Sequence, residues 1–430
     1  MSWHAAEVMS GARSQIADVR APARAVAEAF DRALDYFLRA VGDPLAHIDP
    51  VVAEHPGFVM AHVLRGAVAI ARRHPNALPL LRSALDCVSR ADAHTTTRER
   101  AYLAAAEAWL DGRPELAAER YTAILHAWPR ELLALRLAQS CHFFLGRRAE
   151  LRDVVRVVWP KWSSDVPGYE YLLAMAAFGC AENDDNDLAE ALGREALDRQ
   201  PAFPFAIHSV AHALAGRGEF AQGAQWMQQR RAQWAGEGRM AAHNAWHAAM
   251  FDVESGHAAR ALATLDDVLI PCAADSASDA CDATSLLWRL EIDGLDPGRR
   301  WSALSDCWAA QTAPGFWPFL DLHAAITFNL AGDYRRANAL ECAVARCARG
   351  DTPVARTARA VTLPGLRGIE SFAAGAYADA AGTLRTLRRS VEQIGGSHAQ
   401  QELFDRMLRD AERRLRSSSP IWRPRLPVAA

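Results

Sequence analysis

The sequence is almost without lysine: among its 48 basic residues Lys161 is the one lysine, a bias of coding composition to which no function attaches. It also lacks an excess of either charge. A formal net charge of −3 sets up no field that would gather nucleic acid or an anionic membrane. The short basic stretches Arg413-Arg414-Leu415-Arg416 and Arg423-Pro424-Arg425 are too isolated to change that. No run of about 18 apolar residues occurs, and an N-terminus containing Glu7, Arg13 and Asp18 lacks the apolar core of an export signal. The expectation is a chain with neither membrane span nor leader. The eight cysteines include no C-x-x-C pair, and most lie in apolar helical patterns where a thiol packs as a small hydrophobe. Cys272 and Cys281 flank a polar segment and could pair, but unpaired thiols are the favoured reading, so a reducing, cytoplasmic compartment is expected. There is no P-loop, no G-x-G-x-x-G after a strand, no G-x-S-x-G elbow and no H-E-x-x-H, which speaks against nucleotide hydrolysis, serine-hydrolase chemistry and zincin-type proteolysis.

What is present is helical. In 430 residues, 50% of them hydrophobic, there is ample material for a large core. Segments such as Arg100-Ala101-Tyr102-Leu103-Ala104-Ala105-Ala106-Glu107-Ala108-Trp109-Leu110 place apolar groups three and four apart, and strand-like alternation is absent. A turn with glycine followed by an alanine-rich second helix recurs at Gly112, Gly146, Gly218, Gly256, Gly332 and Gly375, with a related turn at Asn186-Asp187. The spacings scatter around the period of about 34 expected of tetratricopeptide repeats. The fold class that follows is all-α, an α-solenoid of tetratricopeptide-like helical hairpins. Residues 1–45 are read as N-terminal capping helices and 46–416 as the solenoid. Residues 417–430 form a Ser/Pro tail without the periodicity needed to pack, and Ala273 to Asp282 are read as a Ser/Asp-rich loop.

Two histidine pairs stand out in this frame, His208-x-x-x-His212 and His243-x-x-x-His247, each sharing one face of a first helix. Counted back from the turn glycines they trace a single stripe, and His323 falls on it two repeats later. First helices line the concave side of such solenoids, so the five imidazoles are expected in one groove. Glu182, Asp282, Arg289 and Asp321 lie near the same stripe, with Trp246 inside the second pair. Such a groove can hold an anionic ligand, perform acid–base work, or bind a divalent metal through His208, His212, His243 and His247. Packing against Trp226, Trp234, Trp246 and Trp288 is the competing explanation for any single imidazole.

The segments Phe205-Ala206-Ile207-His208-Ser209-Val210-Ala211-His212, His243-Asn244-Ala245-Trp246-His247 and Ser285-Leu286-Leu287-Trp288-Arg289-Leu290, with Gly298-Arg299-Arg300-Trp301 and Asp321-Leu322-His323, resemble tetratricopeptide repeat protein thirty-eight and its bacterial relatives. The resemblance runs over roughly residues 45 to 390 and takes in Thr97-Arg98-Glu99-Arg100 and Ala177-Phe178-Gly179. It implies a helical-repeat fold in which the histidine motifs are family features, and it attaches no reaction to them. Two positions depart from the family pattern: Ala181 stands where an acid precedes Glu182, and Ala245 where a second tryptophan is usual. The function expected first is a scaffold that binds a small polar ligand or a peptide segment in the histidine-lined groove. The alternative is an enzyme, metal-dependent or not, that uses the cluster with Glu182, Asp282 and Arg289.

Overall fold

The computed structural model describes residues 12–13, 19–89 and 95–418. Helices α1 (Arg24–Arg39) and α2 (Pro44–Glu54) open it, so the boundary expected at residue 45 falls in the first turn of α2. Antiparallel pairs follow: α3 (Val59–Arg72) with α4 (Leu78–Ser89), α5 (Thr97–Leu110) with α6 (Pro114–Ala127), and α7 (Leu132–Leu145) with α8 (Arg148–Val158). Next come α9 (Tyr169–Ala181) with α10 (Asn186–Arg199), α11 (Pro204–Gly216) with α12 (Phe220–Gln229), and a short α13 (Arg231–Trp234). Helix α14 (Ala241–Glu254) pairs with α15 (Ala258–Thr264), which continues through a π-helical turn into α16 (Ile270–Ala273). Helices α17 (Ala277–Ile292) and α18 (Arg300–Gln311) form the next hairpin, then α19 (Pro318–Leu330) and α20 (Tyr334–Cys347). Helix α21 (Pro353–Thr357) leads by a second π turn into α22 (Leu363–Ala373), which pairs with α23 (Tyr377–Arg388), and α24 (His398–Ser418) ends the described chain. Strand structure among the described residues amounts to a two-residue antiparallel ladder, Ala12–Arg13 with Arg20–Ala21, and one isolated bridge between Gly42 and Gly238.

The turn glycines show why the hairpins close where they do. Gly112, Gly146, Gly218, Gly256, Gly332 and Gly375 all have φ between 68° and 78°, a left-handed backbone that a Cβ disfavours. At the turn without glycine, Asp184 takes that conformation at φ 62°. Gly146 has a second reason, since a Cβ there would collide with the Glu392 carbonyl.

That contact belongs to a closure the repeat pattern does not foretell. The segment from Val391 to Gln401 runs from the last hairpin back across the concave side: Gly396 N–H donates to the Phe143 carbonyl at 3.3 Å, and Arg148 bonds Gln401. Trp317 Nε1 donates to the Phe144 carbonyl at 3.1 Å, and His74 Nε2 meets the Gln311 carbonyl at 3.0 Å, 237 residues away. The superhelix coils tightly enough for early and late hairpins to touch, and the expected open groove is a bounded cavity instead. The loop expected at Ala273 to Asp282 is also different: Ser276 caps a helix start, its hydroxyl accepting from the Asp279 N–H, and α17 runs from Ala277 with Ala277, Ala280 and Cys281 buried. Of the tail, Ser417 and Ser418 belong to α24, and residues 419–430 lie outside the described residues. No helix among the described residues is long and apolar enough to cross a membrane.

Candidate metal centre and its cavity

Helices α11 and α14 are neighbouring first helices. Pro204 starts α11 at a position where its missing N–H costs nothing. Ile207, Val210 and Leu214 bury its other faces, so the spacing of His208 and His212 aims both rings at α14. His243 and His247 answer from α14. The ring centroids of His208 and His212 are 4.4 Å apart, and each of them sits under 5 Å from the His247 ring. One ring nitrogen from each of the four lies within 4.8 Å of all the others.

The hydrogen positions follow from the carboxylates. Asp282 Oδ2 lies 2.7 Å from His243 Nδ1 and holds its proton there; Glu182 Oε1 lies 3.0 Å from His212 Nδ1, an ion-pair contact outside hydrogen-bond geometry, and its charge draws the His212 proton to the same nitrogen, so both Nε2 lone pairs are left free. Both lone pairs then point at one atom: His208 Nε2 is 2.9 Å from His212 Nε2 and 3.1 Å from His243 Nε2. A single proton on His208 Nε2 cannot serve two acceptors well. His247 has both ring nitrogens buried without a partner, as is His208 Nδ1. Polar atoms so enclosed are normally paired, and leaving one unmade costs about 1–3 kcal/mol. Burial, reinforced by the neighbouring rings, holds His208 and His247 well below the ordinary imidazole range, so both stay neutral and able to donate lone pairs. Burial pushes the Glu182 carboxyl up, but His212, the His398 N–H and Arg148 outweigh it and keep it below its usual value, as a carboxylate.

The site residues expected from the sequence divide into two groups. His208, His212, His243, His247, Glu182 and Asp282 come together. Within that set only His208, His243 and Asp282 reach the cavity, whose volume is about 500 Å³; His212 and His247, expected as groove-lining, are enclosed beneath them. Trp246 is a buried wall: it stacks on His243 at 5.2 Å and donates from Nε1 to Ser285 Oγ. The other three are corrections. His323 is fully buried outside the cluster, its Nδ1–H given to the Phe319 carbonyl at 2.7 Å and its ring between Phe319 and Phe404. Arg289 spends its N–H groups on the carbonyls of Ser285 and Ala399 and lies 3.6 Å from Glu402, joining α17 to α24. Asp321 accepts from the Gly315 N–H, and burial raises its carboxyl to about 8. His323 and Arg289 are turned into packing by α24, which no repeat count anticipates, and Asp321 by the turn at Gly315.

Residues missed from the sequence line the rest of the cavity: Arg73, Arg136, Arg239, Phe143, Phe178, Phe205 and Gln400. One signal for Arg136 was there to read. It is a lone charge in the apolar run Leu132-Leu133-Ala134-Leu135-Arg136-Leu137, and it lies ten residues before Gly146, the offset of His208 from Gly218. Gln400 had no signal, since its place depends on the returning C-terminal segment. It donates to Asp282 Oδ1 at 3.3 Å while the His398 N–H donates to Glu182 Oε2 at 2.9 Å, so one short stretch steadies both carboxylates.

No protein-family model matches the chain. Among solved structures, the tetratricopeptide repeat domain of P58(IPK) aligns with 67% of this chain and 83% of its own, at 12% identity and a TM-score of 0.20, a likeness on which nothing further rests.

Proposed function

We propose that this chain is a metal-binding protein built on a tetratricopeptide-like scaffold, with His208, His212, His243 and His247 as nitrogen ligands to one divalent d-block ion. The observation that carries the reading is the convergence of two carboxylate-set Nε2 lone pairs on a third Nε2 at 2.9 and 3.1 Å. Donors about 2.0–2.1 Å from an ion lie roughly 2.9 Å apart in cis octahedral and about 3.3 Å apart in tetrahedral geometry. Those two spacings fall between these, and the widest among the four, up to 4.8 Å, closes by a small ring movement when an ion binds. Neutral imidazoles without thiolates suit zinc, copper, nickel or iron rather than magnesium or calcium. Glu182 and Asp282 supply the outer partners that orient ligating histidines and balance an ion's charge. His208 and His243 border the cavity, so a small molecule there would meet the ion through them, and a bound oxygen would be polarised. The small polar ligand is favoured over a peptide because the concave side is closed by the segment around Ser397. The histidine motifs are also the residues that carry the likeness to the tetratricopeptide repeat protein thirty-eight family, and we read the chain as a bacterial-type member acting in the cytoplasm.

The test is elemental analysis of the full chain after passage through a chelator and reloading with zinc, nickel, copper or ferrous iron in turn. About one equivalent of at least one ion, retained through gel filtration, is expected. Retention of none would overturn the reading.

A further inference from the structure

The cavity has a second wall. Arg136 rises from the middle of α7, only 7% exposed, with its guanidinium carbon 4.1 Å from the Phe205 ring centroid. Arg73 caps α3 in a left-handed backbone at φ 48°, an unusual conformation for a residue with a side chain, and its guanidinium lies 5.0 Å from Phe143 and 5.6 Å from Trp317. Arg239, just before α14, donates to the Ala71 carbonyl at 2.5 Å and borders the same space from its exposed rim. The aromatic rings satisfy the faces of two guanidiniums and leave their N–H edges to be matched. Arg73 Nε is a buried donor with no partner.

The three charges act on one another. Burial, then Arg239 and Arg136, holds Arg73 well below the usual guanidinium range, and burial with Arg239 brings Arg136 down to about 9. No ion pair joins Arg73, Arg136 or Arg239 to a carboxylate among the described residues, whereas Arg65, Arg217, Arg300 and Arg406 are each paired with one. Gathering like charges in a recess is unfavourable unless an anion shares it. Arginine is also the side chain whose planar edge matches an oxyanion with paired hydrogen bonds. Of the acidic residues of the cavity, Asp282 is taken up by His243 and Gln400, and Asp279 acts on Arg239 without an ion pair, its carboxyl raised to about 7 by burial and by Asp282.

We propose that Arg73, Arg136 and Arg239 form an oxyanion subsite for the carboxylate or phosphate of a small organic anion, whose apolar body lies on Phe143, Phe178 and Phe205. Phe205 and Phe178 link the two walls. Phe205 carries Arg136 on its ring and lies 5.8 Å from the His208 ring, nearly parallel at 23°, and Phe178 lies 5.5 Å from His208. A ligand anchored at the arginines therefore presents its far end to His208 and His243. The inference deepens the metal-centre reading and rests on it for what that far end meets, whereas the anion contact itself needs no ion. A volume of about 500 Å³ accommodates a metabolite-sized molecule.

The experiment is calorimetric titration of the full-length protein, metal-free and zinc-loaded, with phenyl phosphate, phenylacetate and inorganic phosphate. Phenyl phosphate or phenylacetate is expected to bind with a Kd below about 1 mM, and inorganic phosphate at least tenfold more weakly for want of the aromatic floor. The stronger of the two organic probes identifies the oxyanion. Arg136→Gln and Arg73→Gln should each weaken that binding at least tenfold while zinc uptake stays unchanged, and Arg136→Lys should recover part of it. Zinc uptake also reports that the variants are folded. Wild-type protein that binds none of the three probes at about 10 mM would overturn the subsite, as would glutamine variants that bind like wild type. Anion binding by a protein that retains none of zinc, nickel, copper and ferrous iron would keep the subsite and remove the metal centre; metal uptake without anion binding would do the reverse.

Discussion

Two groups of buried polar side chains lie on the first helices, and they have opposite characters. Around α17, α19 and α24, His323, Arg289 and Asp321 each find a protein partner: a carbonyl for the imidazole, two carbonyls and Glu402 for the guanidinium, a backbone N–H for the carboxylate. Between α11 and α14, four imidazoles face one another with lone pairs opposed and three ring nitrogens unmatched. The first cluster is complete as protein. The second leaves ring nitrogens unmatched, which is the ground of the metal-centre proposal. Burial alone does not separate the two, because His323 and His247 are equally enclosed; what separates them is whether every donor and acceptor is accounted for.

The comparison is sharpened most by exchanging one imidazole from each cluster for alanine. His247→Ala is expected to reduce metal affinity at least a hundredfold, since it removes a ligand, and to cost the metal-free protein less than His323→Ala does, because the cavity it leaves is offset by the loss of two unmatched ring nitrogens. His323→Ala should leave metal uptake intact and destabilise the fold by about 2–4 kcal/mol through a cavity and a stranded Phe319 carbonyl. Melting curves of both variants, with and without zinc, read the contrast directly. Equal effects on stability and on uptake would erase the distinction.

Acid provides a second way to separate them. Burial lowers the His323 imidazole to about 4, against an ordinary 6.5, with the Phe319 carbonyl and Asp282 pulling it up and Arg289 pushing it down. The unfolded chain therefore binds this proton more readily than the folded one between those two values. Its contribution is present in full above pH 6.5, is lost as pH falls towards 4, and amounts at most to about 3 kcal/mol at roughly 1.4 kcal/mol per pH unit. Denaturant melts of the metal-free protein at pH 7 and 5 should show less of this loss in His323→Gln than in wild type. An identical loss in both would mean that His323 does not titrate as its burial requires.

Smaller effects are expected one layer out. Asp282→Asn and Glu182→Gln should weaken metal binding by about 10- to 100-fold, because each keeps the shape but no longer holds its histidine proton by charge. Asp321→Asn should leave metal affinity within about twofold, since that carboxyl, raised to about 8, already carries a proton near neutral pH and lies outside the cluster. Competition titrations against a chromophoric chelator resolve differences of this size. A larger effect at Asp321 than at Asp282 would invert the assignment of the two carboxylates.

The hairpins were legible because local chemistry writes them: a left-handed glycine at each turn and an apolar stripe on each helix are visible in a window of about 34 residues. The two i,i+4 histidine pairs were legible for the same reason, and the stripe they share correctly joined α11 to α14. It failed at His323, which has the same offset but faces Phe404 of the returning helix. The segment from Val391 to Gln401 touches residues more than 200 positions away, a contact that no periodicity encodes. That closure also turned the expected groove into a cavity and hid the part played by Gln400. Ala273 to Asp282 was misread from its Ser/Asp composition, although Ser276 with Asp279 three residues on is a helix-start signal. Arg73 and Arg239 lie outside regular helix, where no repeat offset could mark them.

X-ray absorption at the metal edge of the reloaded full chain tests the central claim most directly. The account predicts a first shell of nitrogen donors at about 2.0–2.1 Å with the outer-shell signature of several imidazoles, lost in His247→Ala. A first shell containing sulfur, a shell of oxygen alone, or a spectrum that the His247 variant leaves unchanged would contradict it.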